Sequence, residues 1–163
     1  MARDLGVDPE GLIKLSSNEN PHGPSPAAVE AIEATASTVN VYPKASHTDL
    51  TARIAEQWGL DPEQVWVSPG ADGGIDYLSR AMLEPGDEVL IPDPGFSYYP
   101  MSTRYHHGEV TTYPVRKADG FRQAAADVLE AYDGERIVHA TTPHNPTGST
   151  FPPDELRALA DGV

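Results

Sequence analysis

One stretch constrains this chain more than any other: residues 65–78, VWVSPGADGGIDYL. Val65–Val67 consists of strand-forming residue types, and Pro69 and Gly70 then break the strand. The apolar residues that follow recur at helical spacing. A strand that turns directly into a helix is the first half of a β-α-β unit, so the stretch predicts an α/β fold in which further strands lie parallel to this one.

The turn within this stretch predicts an anion site. The first N–H groups of a helix have no partner within the helix and carry partial positive charge, and glycines let a ligand approach the backbone. Gly70, Ala71 and Asp72 would form a cup for a phosphate. The alternative is a tight turn that binds nothing. The negative charge of Asp72 is compatible with the cup only if its carboxylate caps the helix and points away from the ligand.

The alternation of strand and helix patterns continues to the end of the chain. We expect further strands at 88–91, 109–113 and 137–141, and helices at 26–37, 47–58, 97–106, 122–132 and 152–160. The pattern therefore predicts a three-layer α/β/α arrangement with a mostly parallel sheet.

Charge and composition exclude several function classes. The chain has 25 acidic and 11 basic residues, a net charge of −14, which argues against binding nucleic acid or an anionic membrane. An acidic surface with three lysines suits a protein kept soluble in high salt, and we hypothesise a salt-loving host. There is no cysteine for disulfide or thiolate chemistry, no metal-ligand spacing, no membrane-length apolar run and no signal peptide, so a cytoplasmic location is expected.

Three loops follow strands and would meet at one edge of a parallel sheet. They are 69–74 with the phosphate cup, 92–96 with the ring of Phe96, and 142–148 with the amide of Asn145. A planar aromatic phosphate ester would satisfy all three. The last two residues each have a simpler alternative. Phe96 could be a core residue, and Asn145, which precedes a proline, could be a turn former.

Five motifs, in this order, resemble those of the fold-type I pyridoxal-phosphate aminotransferases. They are KLSSNENPHGPSP at 14–26, the Tyr42-Pro43 pair, SPGADGGID at 68–76, EVLIPDPGFSYY at 88–99 and HNPTG at 144–148. Among these enzymes the sequence is most similar to the histidinol-phosphate type. The resemblance implies part of the large pyridoxal-phosphate-binding domain, incomplete at its C-terminal half, with residues 1–45 as an arm and first helix and 46–163 as the partial domain.

The resemblance also implies roles for single residues. The cup, Gly70 with the N–H groups of Ala71 and Asp72, would hold the phosphate of pyridoxal 5′-phosphate, Phe96 would stack on its ring, and Asn145 would donate to its phenolic oxygen. In a homodimer, Tyr42 would reach the phosphate bound by the neighbouring subunit. Asn18, Glu19 and Asn20 belong to an arm that folds over the site.

The resemblance assigns no catalytic residue within this chain. Transamination needs a Schiff-base lysine, which in the family follows a serine by three positions and would lie beyond Val163. Lys14, Lys44 and Lys117 do not have that context. We therefore expect the 163-residue chain by itself to be inactive, and to expose apolar surface that makes it poorly soluble or self-associating.

Three functions remain open at this stage. The first is transamination between histidinol phosphate and 2-oxoglutarate in histidine biosynthesis. The second is another pyridoxal-phosphate aminotransferase or a phospho-amino-acid decarboxylase. The third, from another class, is a non-catalytic remnant that dimerises or binds phosphate compounds. His22 and His144 lie in motif loops and could line the site, or be ordinary loop residues.

Overall fold

The computed structural model describes residues 6, 8, 13, 14, 16–44 and 46–163. Residues 15 and 45, which belong to the expected motif at 14–26 and to the segment around the Tyr42-Pro43 pair, lie outside the described residues. The chain divides into two compact units, Met1–Thr48 and Asp49–Val163.

The first unit contains helix α1, Pro26–Thr35, as predicted from its start signals. Pro26 stands at the first helical position, where a missing N–H costs nothing, and the Ser25 hydroxyl accepts from the Ala28 N–H at 3.2 Å. A short 3₁₀ turn, Ala36–Thr38, follows. None of the described residues of α1 is buried, so its stability depends on its caps.

The second unit alternates helices and strands. Helix α2, Thr48–Trp58, begins at the boundary between the units. After it the chain forms, in order, α3 Gly70–Met82, β1 Glu88–Asp93, α4 Tyr98–Tyr105, β2 Glu109–Pro114, α5 Ala125–Ala131, β3 Ile137–Val138 and α6 Pro153–Gly162. Among the described residues, no helix is long and apolar enough to cross a membrane.

The sheet confirms the predicted α/β class. Its strands lie in the order β2-β1-β3, and β1 pairs in parallel with both neighbours. Successive side chains of β1 point to opposite faces. Leu90 packs with Val128 of α5 and Leu159 of α6 in one core cluster, while Val89 and Ile91 pack with Tyr99 of α4 in another. Helices therefore cover both faces of the sheet, as the alternation of strands and helices predicted.

The strand predicted at Val65–Val67 is wrong for the described structure. Val65 has extended dihedral angles, but no described strand pairs with residues 65–67, and the exposed fraction of Trp66 is 59%. The residue types favour an extended backbone here, but a strand also needs a neighbouring strand to which its backbone can hydrogen-bond. The direct passage from this extended segment into α3 is confirmed.

Two other elements are shorter than predicted. Helix α5 begins at Ala125 rather than at 122, because Ala124 has extended dihedral angles and serves as its N-cap. Strand β3 ends at Val138 rather than at 141. Directly beyond it the His139 N–H still donates to the Leu90 carbonyl of β1 at 2.8 Å, but no further residue belongs to the strand.

Candidate functional site

The start of α3 has the geometry of an anion cup. Gly70 has φ +75°, a conformation that glycine adopts without strain, and it begins the helix. Its N-cap is Pro69, which has no side chain able to cap. The Ser68 hydroxyl donates to the Gly70 carbonyl at 2.8 Å and so does not cap the helix either. The N–H groups of Ala71 and Asp72 lie in the first turn, where helices leave their donors available.

The capping role expected of Asp72 is not found. Its side chain is exposed and makes no hydrogen bond within the part of the chain that the structure describes. The N-cap position belongs to Pro69, so Asp72 stands in the first turn, where a carboxylate is stabilised by the helix dipole without capping.

The loop after β1 presents Phe96. The ring of Phe96 is half-buried and lies edge-on against Tyr99, with ring centroids 5.6 Å apart and planes at 88°. A Cβ on Gly95 would stand 2.3 Å from the Pro92 carbonyl oxygen, so only glycine fits there. A cavity of about 190 Å³ adjoins Gly95 and Phe96. The loop is therefore tightly folded, and it holds the Phe96 ring in a fixed orientation against Tyr99.

A row of aromatic rings joins this loop to the segment after β3. Tyr99 stacks on His139 at 4.1 Å between ring centroids, and its hydroxyl lies 2.6 Å from the Thr141 hydroxyl. The Tyr113 hydroxyl donates to the His139 carbonyl at 3.0 Å. Burial lowers the pKa of His139 to about 4, so its imidazole is neutral at neutral pH.

The loop after β3 closes on itself around His144. The His144 N–H donates to the Ser149 carbonyl and the Gly148 N–H donates to the His144 carbonyl, both at 2.7 Å. Asn145 follows directly and is half-buried. Its side-chain amide makes no hydrogen bond to any described residue, so it remains available to a ligand.

Helix α4, which follows the Phe96 loop, contacts α3. Burial, followed by the carboxylates of Asp76 and Asp72, raises the pKa of the Tyr98 phenol. His106 Nε2 lies 2.9 Å from Asp76 Oδ1 and links α4 to α3. Helix α3 is thus held against α4, and Ile75 of α3 packs against the same core cluster as Phe96.

Within the second unit, Tyr99 connects the start of α4, directly after the Phe96 loop, with His139 and Thr141 beyond β3. That the 69–74 loop meets these two loops at one sheet edge stays a prediction, because no described strand precedes it. The sequence reasoning did not assign Tyr98 or Tyr99 to the site. Tyr99 follows Phe96 by three residues, one helical turn, and that spacing was the available signal. His139 falls within the segment predicted as a strand at 137–141, but it lies beyond the end of β3 and stacks on Tyr99.

Four predicted residues belong to the first unit. Tyr42 is 96% exposed, and its expected contact with another subunit stays a prediction. Glu19 pairs with Lys14, and Asn20 accepts from the His22 N–H at 3.0 Å in a tight turn. Asn18 has φ +51°, in the left-handed region that asparagine tolerates. No group of three or more His, Asp or Glu side chains among the described residues is placed to hold a metal ion.

Comparison with known families gives one match over nearly the whole chain. Residues 10–163 match the family model described as aminotransferase class I and II.

Curated relatives named histidinol-phosphate aminotransferase align over the full chain. That of Haloquadratum walsbyi is 70% identical and that of Haloferax volcanii 68% identical, each over 163 residues. The aligned region is 43% of the first relative and 45% of the second, so the chain spans less than half the length of the curated relatives it matches.

Solved structures agree in fold. The histidinol-phosphate aminotransferase of Sinorhizobium meliloti in complex with pyridoxal-5′-phosphate matches with a TM-score of 0.84 and 26% identity, over 90% of this chain and 40% of that one. The aspartate aminotransferase of Thermus thermophilus with maleate matches with a TM-score of 0.83 and 27% identity, over 98% of this chain and 43% of that one.

Proposed function

We propose, since this chain belongs to the aminotransferase class I and II family, that the whole protein is a pyridoxal-phosphate-dependent aminotransferase. The observation that carries this proposal is the presence, in three loops of one compact unit, of an uncapped helix start, an aromatic ring and an unpaired amide. A pyridoxal phosphate has one group for each: a phosphate, a planar ring and a phenolic oxygen.

The residues fit this cofactor by their chemistry. Ala71 and Asp72 would bind the phosphate through backbone N–H groups that no side chain of the N-cap occupies. Phe96 would cover one face of the ring and exclude water from it, and Asn145 would donate a hydrogen bond to the phenolic oxygen. Bound pyridoxal phosphate supplies an electron sink for the carbanion formed when the substrate loses its α-proton.

We further propose histidinol phosphate and 2-oxoglutarate as the substrates. Support comes from relatives at 68–70% identity that carry the name histidinol-phosphate aminotransferase. A second candidate, another aminotransferase, is favoured by the aspartate aminotransferase with similar fold and 27% identity. Relatives of much higher identity bear the histidinol-phosphate name, which is why we rank that substrate first.

The arrangement of subunits is part of the same proposal. We propose a cytoplasmic homodimer in which Tyr42 contacts the phosphate bound by the other subunit, and the exposure of its ring supports this. Asn18, Glu19 and Asn20 would cover the bound substrate as an arm. The division into an arm with the first helix, residues 1–45, and a cofactor domain, residues 46–163, likewise remains a proposal.

The test measures transamination by the full-length protein loaded with pyridoxal phosphate. Histidinol phosphate and aspartate are compared as amino donors to 2-oxoglutarate, and we expect kcat/KM to favour histidinol phosphate. Preference for aspartate would replace the substrate proposal with the second candidate. A protein that binds pyridoxal phosphate weakly and turns over neither donor would instead be a non-catalytic binder.

Residues 1–163 alone should give no turnover. Lys14, Lys44 and Lys117 do not follow a serine by three positions, as the Schiff-base lysine of the family does.

A further inference from the structure

One buried side chain outside the predicted site reaches the loop that carries Asn145. Gln123 lies in the non-helical segment just before α5, and the exposed fraction of the residue is 2%. Its Nε2 donates to the Ser149 carbonyl at 3.1 Å, 26 positions along the chain. Because a carbonyl oxygen can only accept, this hydrogen bond also fixes which end of the Gln123 amide faces the loop.

The Ser149 carbonyl lies at the base of a closed loop. It accepts a second hydrogen bond from the His144 N–H at 2.7 Å, and the Gly148 N–H donates to the His144 carbonyl, also at 2.7 Å. These two backbone bonds join the ends of the loop 144–149, and Asn145 lies between the joined ends. Gln123 therefore binds the same oxygen atom that closes the loop around Asn145.

The segment that carries Gln123 is itself anchored. The Ala125 N–H, at the start of α5, donates to Glu155 Oε2 of α6 at 2.7 Å. Ala125 is 3% exposed and belongs to the same core cluster as Leu90 and Val128. Because Gln123 is two positions from this anchor, its hydrogen bond ties the loop 144–149 to the core on the face of the sheet that α5 covers.

The other end of the Gln123 amide indicates that stability alone does not account for the residue. Its Oε1 is buried and has no hydrogen-bond partner among the described residues, and a buried unpaired oxygen opposes folding. Methionine is about as long and has no such oxygen. Without Gln123 the Ser149 carbonyl would still accept from the His144 N–H, so an apolar side chain would fit here at little cost in stability. What the amide adds is its hydrogen bond to the loop.

We propose that Gln123 is a positioning residue, which through its hydrogen bond to the Ser149 carbonyl holds the loop 144–149 in the form that presents the Asn145 amide to the ligand. The hydrogen bond follows from the structure. Its effect on the ligand rests on the proposed function, in which the ligand is pyridoxal phosphate. Gln123 acts through Asn145 and is not a catalytic residue.

The first experiment needs no ligand. Hydrogen exchange of the backbone amides is measured in the full-length protein and in its variant Gln123→Met. We expect the His144 and Gly148 amides, which close the loop, to exchange about fivefold faster in Q123M, while the amides of α5 keep their rates, because one hydrogen bond is lost and the packing is retained. Unchanged exchange at both loop amides would overturn the proposal, whatever the protein binds.

The second experiment measures the effect on the ligand. Affinity for pyridoxal phosphate is determined by fluorescence titration, and the ¹H–¹⁵N signal of the Asn145 side-chain amide, identified with N145D, is recorded at saturating ligand. We expect Q123M to bind about fivefold more weakly, and its Asn145 signal to shift less on binding than in the wild type. The midpoint of thermal unfolding should stay within about 2 °C of the wild type. A lower midpoint with unchanged affinity and an unchanged Asn145 signal would make Gln123 a core residue only and would overturn the proposal.

Thr111→Val is the matched control. The Thr111 hydroxyl donates to Glu135 Oε1 at 2.7 Å near the start of β3, at the end of the sheet opposite to the loop 144–149. T111V thus removes one part-buried hydrogen bond without touching the loop, and we expect its affinity for pyridoxal phosphate to be unchanged. An affinity loss equal to that of Q123M would show general destabilisation and contradict the positioning role. A wild-type protein that fails to bind pyridoxal phosphate would reject the proposed function, and the exchange rates would still decide whether Gln123 anchors the loop.

Discussion

At the scale of single residues, the proposed phosphate contact depends on two backbone N–H groups, those of Ala71 and Asp72. Backbone donors are insensitive to most substitutions, since every residue except proline has one. The Asp72 side chain is exposed, so a substitution there would leave the main-chain donor in place. The informative change is one that removes an N–H without removing the helix.

Ala71→Pro makes that change. Proline is tolerated in the first turn of a helix, so α3 should form, but one donor is lost. We expect affinity for pyridoxal phosphate to fall tenfold or more, about the worth of a charge-assisted hydrogen bond, while affinity for pyridoxal stays unchanged. Both are measured by fluorescence titration of the full-length protein. Ala27→Pro, at the equivalent position of α1, is the control, and an equal loss there would contradict the phosphate role.

His139 makes stability depend on pH. Its pKa is about 4 in the folded protein, below the ordinary 6.5, so the unfolded chain binds more protons between these values. Stability is therefore complete above pH 6.5 and declines as the pH falls towards 4, by on the order of 3 kcal/mol at most. Urea unfolding at several pH values measures this. His139→Phe keeps a ring against Tyr99 but cannot be protonated, so its stability should decline less; an unchanged slope would show that His139 is not responsible.

At the scale of elements, the parallel direction of the strands decides which loops become neighbours. Strands β1 and β3 are parallel and adjacent, so their C-terminal ends meet at one edge and their loops become neighbours. Helix α4 completes the arrangement, because it begins directly after the Phe96 loop and presents Tyr98 and Tyr99 from its first turn. One side of the site is thus a consequence of a single β-loop-α unit.

Helix α1 has a different basis for its stability. It buries none of its described residues, and its first turn is held by the Ser25 hydroxyl. Ser25→Ala should therefore destabilise α1 by about 1 kcal/mol, whereas Ser25→Asp should preserve it. Hydrogen exchange at the Ala28 amide and the rest of α1 measures the difference. Equal exchange rates in S25A and S25D would mean that packing against another surface, not the cap, holds this helix.

At the scale of the whole molecule, negative charge dominates. The net charge is −14, and among the described carboxylates only Glu135 is buried. Mutual repulsion of exposed carboxylates opposes the compact state, and salt reduces it by shortening the screening length from about 10 Å at 0.1 M to about 3 Å at 1 M. This is the physical basis of the proposed adaptation to high salt.

Stability should accordingly rise with salt. We expect the unfolding midpoint to increase by several degrees between 0.1 and 1 M KCl, where about 1 kcal/mol corresponds to roughly 3 °C. Replacing four exposed carboxylates by amides, at Glu30, Glu33, Glu63 and Glu130, should reduce that increase and raise stability at low salt. A midpoint independent of KCl, or an identical salt response in the variant, would reject the hypothesis.

The sequence by itself determined most of the order of helices and strands, and it predicted which loops would bind a ligand. Residue types and their spacing gave α3, α4, α6 and β1 closely, because helix caps, prolines and apolar periodicity act over a few residues. Because β1 and β3 run parallel, the loops that follow them lie at the same edge of the sheet. The five motifs in their order pointed to the family to which residues 10–163 belong.

Only the tertiary structure decided which side chains meet. Tyr99 stacks on His139, 40 positions away, and its hydroxyl lies 2.6 Å from that of Thr141, 42 positions away, and no local pattern encodes either contact. The same reason explains the wrong strand at Val65–Val67, whose residue types favour extension while strand formation needs a partner from elsewhere in the chain. Local sequence sets the conformation of each segment, whereas burial and pairing depend on what the folded chain brings beside it.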